Sequence, residues 1–265
     1  MTGSTGFVRL SHIDQGTGEP ELLILHGLFG SARNWAGLAK RFAETRRVVA
    51  VDARNHGGSP WDDDMAYPAM AADLLEQIDT LGLTRPVVLG HSMGGKTAMY
   101  AALSRPEKIG ALIVADMAPV AYRHTHMPLV VAMRALDLAR VRRRAEADAA
   151  LAPVAPQQAM RDFLLQNLVF ENGRARWRLN LAAIAMHLPG LLGWDSPAPA
   201  APFAGPALFV HGGRSAFVRP EYHETIRRLF PAARIETITG AGHWLHADRP
   251  AEFAVAVERF LATLG

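Results

Sequence analysis

Short, almost wholly apolar runs alternate with longer segments of helical periodicity along most of this chain. The runs occupy 22–25, 47–51, 86–89 and 111–115, and helical patterns lie between them, the clearest over 70–81. Runs that are apolar at every position are typical of strands covered by helices on both faces. The alternation therefore predicts an α/β fold with a mostly parallel central sheet flanked by helices.

This alternation breaks off midway along the chain and resumes near its end. In between, residues 120–202 contain several helical patterns and no convincing pair of strands. The economical interpretation is one core domain, residues 1–119 and 203–265, with a helical cap inserted after the strand that ends at Asp116. We expect residues 120–202 to form this cap, or lid.

The composition narrows the possible partners and locations. The absence of cysteine among the 265 residues excludes a disulfide framework, a thiol nucleophile and a cysteine-ligated zinc site. A formal net charge of +3 gives no dominant field to attract nucleic acid. The sequence has neither a signal-peptide pattern nor an apolar run long enough to span a bilayer. We therefore expect a cytoplasmic protein without a membrane span, as a monomer or small homo-oligomer.

The sequence Gly-His-Ser-Met-Gly at 90–94 stands between an apolar run and a helical pattern. A turn this tight between a strand and a helix leaves almost no room for side chains at its flanking positions, so they are glycine. The strained turn lifts the serine hydroxyl clear of the sheet, beside helix N–H groups that favour negative charge. We expect Ser92 to be a nucleophile; the alternative is a glycine-rich loop with an incidental serine.

A second glycine-rich loop, Gly-Ala-Gly-His-Trp at 240–244, follows the last predicted strand, residues 234–238. A general base must lie within hydrogen-bond distance of the proton that it takes, and a loop histidine at this place can lean over Ser92. We expect His243 to be that base. The alternative is a histidine that caps the final helix; His246, its nearest rival, is expected to be structural.

The loop His-Gly-Leu-Phe-Gly-Ser at 26–31 follows the first strong strand. Acyl transfer needs two backbone N–H donors that face the developing oxyanion. We expect one from Met93, the residue after the nucleophile, and the other from Leu28, with Phe29 as the less favoured candidate. The alternative is that this loop is merely a turn.

A catalytic serine and histidine are completed by an acid that orients the histidine, and in this sequence the acid is missing from its usual position. Such an acid usually follows a late strand, predicted here at 207–210, but the loop after it, 211–218, contains no Asp or Glu. Glu221 is the next acid and is expected to begin a helix beyond reach. Asp116, at the end of the strand after the nucleophile helix, can approach the same imidazole. We favour Asp116 as the acid; the alternative is a carboxylate that holds the base of the cap.

Several motifs together resemble one known family. H-G-L-F-G-S, G-H-S-M-G-G-K, A-D-M-A-P-V, G-A-G-H-W-L-H and the loop from Asp52 to Pro60 look like those of the bacterial YbfF-type esterases, relatives of the mitochondrial ABHD11-like hydrolases. The resemblance spans about Leu22 to Phe260 and is weakest in the cap. It implies the α/β-hydrolase fold, Asp116 as the acid, esterase or thioesterase activity on acyl groups, and no metal or organic cofactor.

The expected substrate is a small-molecule ester or thioester of a small to medium apolar acyl group, cleaved through an acyl-enzyme. Residues next to the predicted catalytic ones are candidates for the pocket: Phe29, His91, Met117, Phe217 and Trp244. Alternatives on the same triad are C–C bond, lactone or amide hydrolysis and acyl transfer. An alternative of another class is a non-catalytic ligand-binding protein, which is expected to carry a damaged triad.

The cap also contains an arginine cluster, which we define as Arg140, Arg142, Arg143 and Arg144. Guanidinium groups of this kind can grip a phosphate-bearing leaving group such as coenzyme A. The favoured interpretation is a solvated helix face with Glu146 and Asp148 as partners.

Overall fold

A computed structural model describes residues 6–123, 125–198 and 201–264. The first five residues, which belong to the segment inspected for a signal peptide, lie outside these ranges. Within them the strands are β1 His12–Gln15, β2 Leu22–Leu25, β3 Val48–Val51, β4 Val87–His91, β5 Ala111–Ala115, β6 Leu168–Glu171, β7 Arg174–Trp177, β8 Ala207–Gly212 and β9 Ala233–Ile238.

Seven of these described strands form one sheet in the order β1-β3-β2-β4-β5-β8-β9. All neighbours are parallel except β1, which pairs antiparallel with β3 at one edge. The register pairs Leu25 with Gly90, and Ala115 with both His91 and Val210. The carboxyl ends of the central strands therefore meet along one edge of the sheet. The predicted, mostly parallel α/β sheet is confirmed.

Helices cover both faces of the sheet. Those outside 120–202 are α1 Ala36–Phe42, α2 Tyr67–Thr80, α3 Met93–Ser104, α8 His223–Leu229, α9 Leu245–Asp248 and α10 Pro250–Leu261; those inside are α4 Met127–Ala135, α5 Arg144–Leu151, α6 Gln158–Leu165 and α7 Leu181–Leu192. Successive residues of β2 enter opposite cores: Leu23 packs in the cluster that contains α2 and α3 residues, and Ile24 in the cluster that contains α1 and α10 residues. This two-sided burial explains why the strand is apolar at every position.

The segment 120–202 is not purely helical. Strands β6 and β7 pair antiparallel around Asn172 and Gly173, whose φ angles are +51° and +74°. Two successive positive φ angles are the signature of the hairpin turn for which Asn-Gly is the preferred sequence. The expectation that this segment lacks a strand pair was wrong, and the Asn-Gly dipeptide was the signal that could have revealed it.

A buried lysine joins the end of α7 to the helix that follows Ser92. Lys96, on α3, donates from Nζ to the carbonyl oxygens of Leu192 and Gly193, at 3.1 and 2.5 Å. Its Nζ also lies 4.8 Å from the centre of the Tyr122 ring. Burial lowers the pKa of Lys96 to about 7. These contacts hold segment 120–202 against the strand edge; its division from the core as a separate domain stays a prediction.

None of the helices in the described ranges combines the length and the apolar character needed to cross a membrane.

Candidate active site

Ser92 occupies a strained turn between β4 and α3. Its φ and ψ angles are +53° and −117°, a combination that side-chain-bearing residues rarely adopt. The flanking glycines leave no room for a Cβ atom: one at Gly90 would lie 2.2 Å from the oxygen of Gly94, and one at Gly94 would lie 2.5 Å from the oxygen of His26. Close backbone packing therefore explains the Gly-x-Ser-x-Gly pattern and fixes Ser92 at the carboxyl edge of the sheet.

His243 lies beside Ser92, in the loop that follows β9. Its Nε2 atom is 3.1 Å from Ser92 Oγ, and its Nδ1 atom is 2.7 Å from Asp116 Oδ2. Because a carboxylate can only accept, the Nδ1 atom carries the proton of this hydrogen bond. Nε2 is then the free base that accepts the hydrogen bond from the serine hydroxyl.

Asp116 is fully buried at the end of β5. Besides His243, its carboxylate accepts hydrogen bonds from the Gly212 amide, at 3.1 Å, and from the Ser215 hydroxyl. Ser215 thus stands in the loop where an acid usually sits and contacts the acid that replaces it, a contact that sequence reasoning missed. Glu221 is exposed and pairs with Arg219 at 3.3 Å. The structure therefore brings Asp116, and not Glu221, to His243.

The backbone amides of Leu28 and Met93 donate no hydrogen bond within the described part of the chain. By contrast, the Phe29 amide donates to His56 Nε2 at 3.2 Å. Phe29 was the less favoured candidate for the oxyanion donor, and this hydrogen bond removes its amide from contention. Two amides, one on each predicted loop, are left to bind an oxyanion.

The predicted pocket residues surround Ser92 in different ways. Met117 lines an apolar inner chamber beside Ser92, and Phe217 lines it too while its ring stacks on His243 with ring centres 4.0 Å apart. Phe29 and Trp244 line the cleft on the other side of Ser92. His91 is almost completely buried, and its Nε2 atom donates to the backbone oxygen of His243 at 2.9 Å. His91 therefore lines the same cleft as Phe29 and Trp244 and also holds the loop of His243.

Buried histidines form a layer beneath these loops. His246 stacks on Trp35 with ring centres 4.4 Å apart and lies 4.6 Å from the ring of His91. Burial lowers the pKa of His56 to about 3 and of His246 to about 4, and it also lowers the pKa values of His26 and His91. All four rings are therefore neutral in the folded protein at neutral pH.

This layer should make the protein acid-sensitive. Below pH 6.5 the unfolded chain binds more protons at His26, His56, His91 and His246 than the folded protein does, so each lowers the free energy of unfolding as the pH falls, by up to about 1.4 kcal/mol per pH unit. Above pH 6.5 these groups are neutral in both states and contribute no slope. We expect urea unfolding at pH 7.5, 6 and 5 to give steeply falling stability, and His56→Gln to reduce the slope by about one proton. Equal stability at pH 7.5 and 5 would contradict this.

The arginine cluster does not converge on a common site. Arg144 is exposed, but its guanidinium donates to the carbonyl oxygens of Leu165 and Leu168. Arg143 pairs with Glu146 at 3.3 Å, but Asp148 pairs with Arg161 and not with the cluster. These contacts favour the solvated-face interpretation for the outer arginines and a structural role for Arg144.

Within the described ranges, no group of three His, Asp or Glu side chains is placed to hold a metal ion.

Comparison with known proteins identifies the family. A family model described as alpha/beta hydrolase fold matches residues 20–250. The chain is 45% identical to mouse sn-1-specific diacylglycerol lipase ABHD11, over 92% of this chain and 81% of the relative. It is 35% identical to esterase YbfF of Escherichia coli, over 91% of this chain and 92% of the relative.

A solved structure, that of a marine microorganism esterase, superposes with a TM-score of 0.93 at 36% identity and covers 96% of this chain and 99% of its own. Fold, sequence and structural likeness therefore agree, and they confirm the predicted class of enzyme. The chain belongs to the α/β-hydrolase fold family and, within it, to the carboxylic ester hydrolases of the YbfF and ABHD11 type.

Proposed function

We propose that this ester hydrolase cleaves esters of small to medium apolar acyl groups through an acyl-enzyme on Ser92. The observation that carries the proposal is the continuous chain of hydrogen bonds from Ser92 through His243 to Asp116, at 3.1 and 2.7 Å. This order of nucleophile, base and orienting acid is the one that acyl transfer requires.

In the proposed first step, Nε2 of His243 takes the proton of Ser92 while the serine oxygen attacks the ester carbonyl. Asp116 holds the ring in the tautomer with the proton on Nδ1 and stabilises the imidazolium that forms. The carbonyl oxygen becomes an oxyanion, which accepts hydrogen bonds from the amides of Leu28 and Met93. The C–O bond of the ester then breaks, and His243 returns the proton to the departing alcohol.

The second step repeats this chemistry with water. His243 deprotonates a water molecule, which attacks the acyl carbonyl, and the same two amides bind the second oxyanion. Collapse of this intermediate breaks the bond between the acyl group and Ser92, and His243 returns the proton to the serine oxygen. The products are a carboxylic acid and the regenerated enzyme. A thioester follows the same route with a thiol as the leaving group.

The shape of the cavity suggests where each half of the substrate binds. The inner chamber is lined by apolar side chains, including Met93, Met117, Leu188 and Leu191, so it suits the acyl group. A wider outer basin on the far side of His243 has polar groups such as Arg123 among its lining residues, so it suits the leaving group. Phe217 lines both spaces and stands at their boundary.

Leu188→Phe should shift the substrate preference toward short acyl chains. Leu188 is buried at the inner chamber, and a phenyl ring there takes up space that a longer acyl chain needs. We expect kcat/KM for the p-nitrophenyl octanoate to fall at least about 10-fold while that for the acetate changes little. Met186→Phe is the matched control, since Met186 lies on the same helix with 73% of its surface exposed. An equal loss on both esters in Leu188→Phe would argue against this acyl site.

The experiment that tests the function itself is trapping of the acyl-enzyme. Rapid acid quenching during hydrolysis of p-nitrophenyl butyrate, followed by peptide mass spectrometry, should place a butyryl group on Ser92. A butyryl group on another residue would overturn the proposed nucleophile. Hydrolysis at the wild-type rate with neither a trapped adduct nor a burst of p-nitrophenol would overturn the acyl-enzyme route.

The remaining alternatives differ in the bond that breaks or in the acceptor. A panel of thioesters, lactones and anilides with the same acyl group separates ester cleavage from the related hydrolyses, and added alcohol reports acyl transfer. The cytoplasmic location, the oligomeric state and the absence of nucleic-acid partners stay predictions.

A further inference from the structure

The turn that carries the Leu28 amide has a strained backbone. It is closed by a hydrogen bond of 2.9 Å from the Gly30 amide to the Gly27 oxygen. Its third residue, Phe29, has a φ angle of +64°, a left-handed conformation that residues with a side chain seldom adopt. Such a conformation persists only where the surrounding structure fixes it.

Three side chains from different parts of the chain fix this turn. His26 Nδ1 donates to the Gly27 oxygen at 2.8 Å, and His56 Nε2 accepts from the Phe29 amide at 3.2 Å. Asn167 Nδ2 donates to the Phe29 oxygen at 2.8 Å. His26 and His56 belong to loops of the core sheet, whereas Asn167 lies between α6 and β6, in the segment predicted to be the cap.

The ring nitrogens of His56 have only one consistent assignment. Nδ1 lies 2.9 Å from the Arg54 oxygen, which can only accept, so Nδ1 carries the proton. Nε2 is then a bare acceptor for the Phe29 amide. Burial keeps the pKa of His56 low, so this arrangement holds throughout the pH range of catalysis.

Among the described residues, the Asn167 side chain forms hydrogen bonds only with backbone carbonyl groups. Its side chain is fully buried, and its amide nitrogen bonds to the Phe29 oxygen and, at 3.2 Å, to the Leu164 oxygen. A buried amide group costs stability unless it is hydrogen-bonded, so a leucine would be the simpler occupant of this position. The bond to Phe29 spans 138 residues of sequence and ends on the turn beside Ser92.

We propose that Asn167 is a positioning residue that keeps the oxyanion turn in its active conformation from the cap side. The proposal rests on the proposed function, in which the Leu28 amide binds the oxyanion. Peptide units are planar, so the direction of the Leu28 N–H follows that of the Gly27 carbonyl. Releasing the Phe29 carbonyl frees the adjoining peptide units to rotate and relieve the strain at Phe29, which turns the Leu28 amide away from the oxyanion.

A second contact couples the same two regions. Asn180, at the start of α7, donates from its backbone amide to the Asn55 oxygen and from Nδ2 to Asn55 Oδ1, both at 3.1 Å. Asn55 directly precedes His56, the other side chain that holds Phe29. The cap segment therefore contacts the oxyanion turn directly through Asn167 and also contacts the loop that carries His56. Packing of the cap segment against the core is therefore coupled to formation of the oxyanion site.

Asn167→Leu tests this proposal because it keeps the size of the side chain and removes the donor. We expect kcat for p-nitrophenyl butyrate to fall by about 10- to 100-fold with KM within about 2-fold, because the lost contact acts on the transition state. Gln166→Leu is the matched control. Gln166 directly precedes Asn167, and its side-chain oxygen accepts an exposed hydrogen bond of 2.7 Å from Asn34 Nδ2 across the same boundary. That variant should keep both constants within about 2-fold.

A second readout separates positioning from loss of structure. A trifluoromethyl ketone forms a tetrahedral adduct whose oxyanion needs the Leu28 amide, so its inhibition constant should rise in Asn167→Leu by the same factor as kcat/KM falls. Asn167→Ala, which removes the donor without adding bulk or charge, provides a second variant should the leucine form fold poorly. The alanine cannot donate to the Phe29 oxygen, and the same losses are expected.

The outcomes are distinct. Wild-type kcat in either folded Asn167 variant, or an unchanged ketone inhibition constant, overturns the positioning role. Equal losses in Gln166→Leu and Asn167→Leu also overturn it, because they indicate general loosening of the cap. If wild-type protein forms no butyryl adduct on Ser92, the proposed function itself fails; if the adduct forms at the wild-type rate in Asn167→Leu, only the positioning role fails.

Discussion

Ser92→Ala is expected to lower kcat by about 10⁵-fold or more and to abolish labelling by a fluorophosphonate probe. The alanine removes the only atom that can attack the carbonyl while leaving the amides of Leu28 and Met93 in place. The turn at 90–94 is fixed by glycine packing and does not depend on the hydroxyl. The variant should therefore remain folded, with a melting temperature close to that of the wild type, and should still bind esters.

Ser104→Ala is the matched control for this experiment. Ser104 is the last residue of α3, the helix that begins at Met93, and its hydroxyl bonds to the Tyr100 oxygen at 2.8 Å, far from His243 in the fold. We expect full activity and full labelling in this variant. Labelling that persists in Ser92→Ala would place the nucleophile elsewhere, and kcat within 10-fold of the wild type would refute nucleophilic catalysis by Ser92.

The sequence predicts the strands that are buried on both faces of the sheet, because such a strand is apolar at successive positions. Strand β2 is apolar at each position because Leu23 and Ile24 enter opposite cores, and the same holds for residues 87–89 of β4 and for β5. Strand β1 escaped prediction because it is a largely exposed edge strand, His-Ile-Asp-Gln, with one neighbour and no apolar run. The β6–β7 hairpin escaped because its strands are short and carry charges, although its Asn-Gly turn was a readable signal.

The candidate site likewise contains some contacts that the sequence predicts and others that it does not. The motifs around Ser92 and His243 are local, and the parallel register brings their loops to one edge of the sheet, so sequence reasoning could pair them with Asp116. The structure brings these side chains into contact, while their roles remain proposals. The contacts of Phe29 with His56 and Asn167 were not predictable. A histidine in one loop and an asparagine in segment 120–202 have no local pattern that indicates which distant backbone group they bind.

The choice of acid is the part of the proposed mechanism where the sequence departs from the usual rule, and Asp116→Asn tests it. We expect kcat to fall by about 10⁴-fold with little change in KM. The Asn side chain can donate to Nδ1 of His243, which places the imidazole proton on Nε2, where it blocks acceptance of the proton from Ser92. The fold should survive, because the amide oxygen can still accept from the Gly212 amide, and the Ser215 hydroxyl can accept from the amide nitrogen that replaces the second carboxylate oxygen.

Glu221→Gln supplies the comparison that decides between the two carboxylates. Glu221 follows the late strand, as the acid usually does, but it is exposed and its partner is Arg219. Loss of an exposed ion pair costs little, so kcat should stay within about 2-fold of the wild type. If steady-state kinetics instead give the large loss in Glu221→Gln and near-normal turnover in Asp116→Asn, the loop after β8 must rearrange during catalysis to present Glu221. The buried contact between Asp116 and His243 would then belong to a resting conformation.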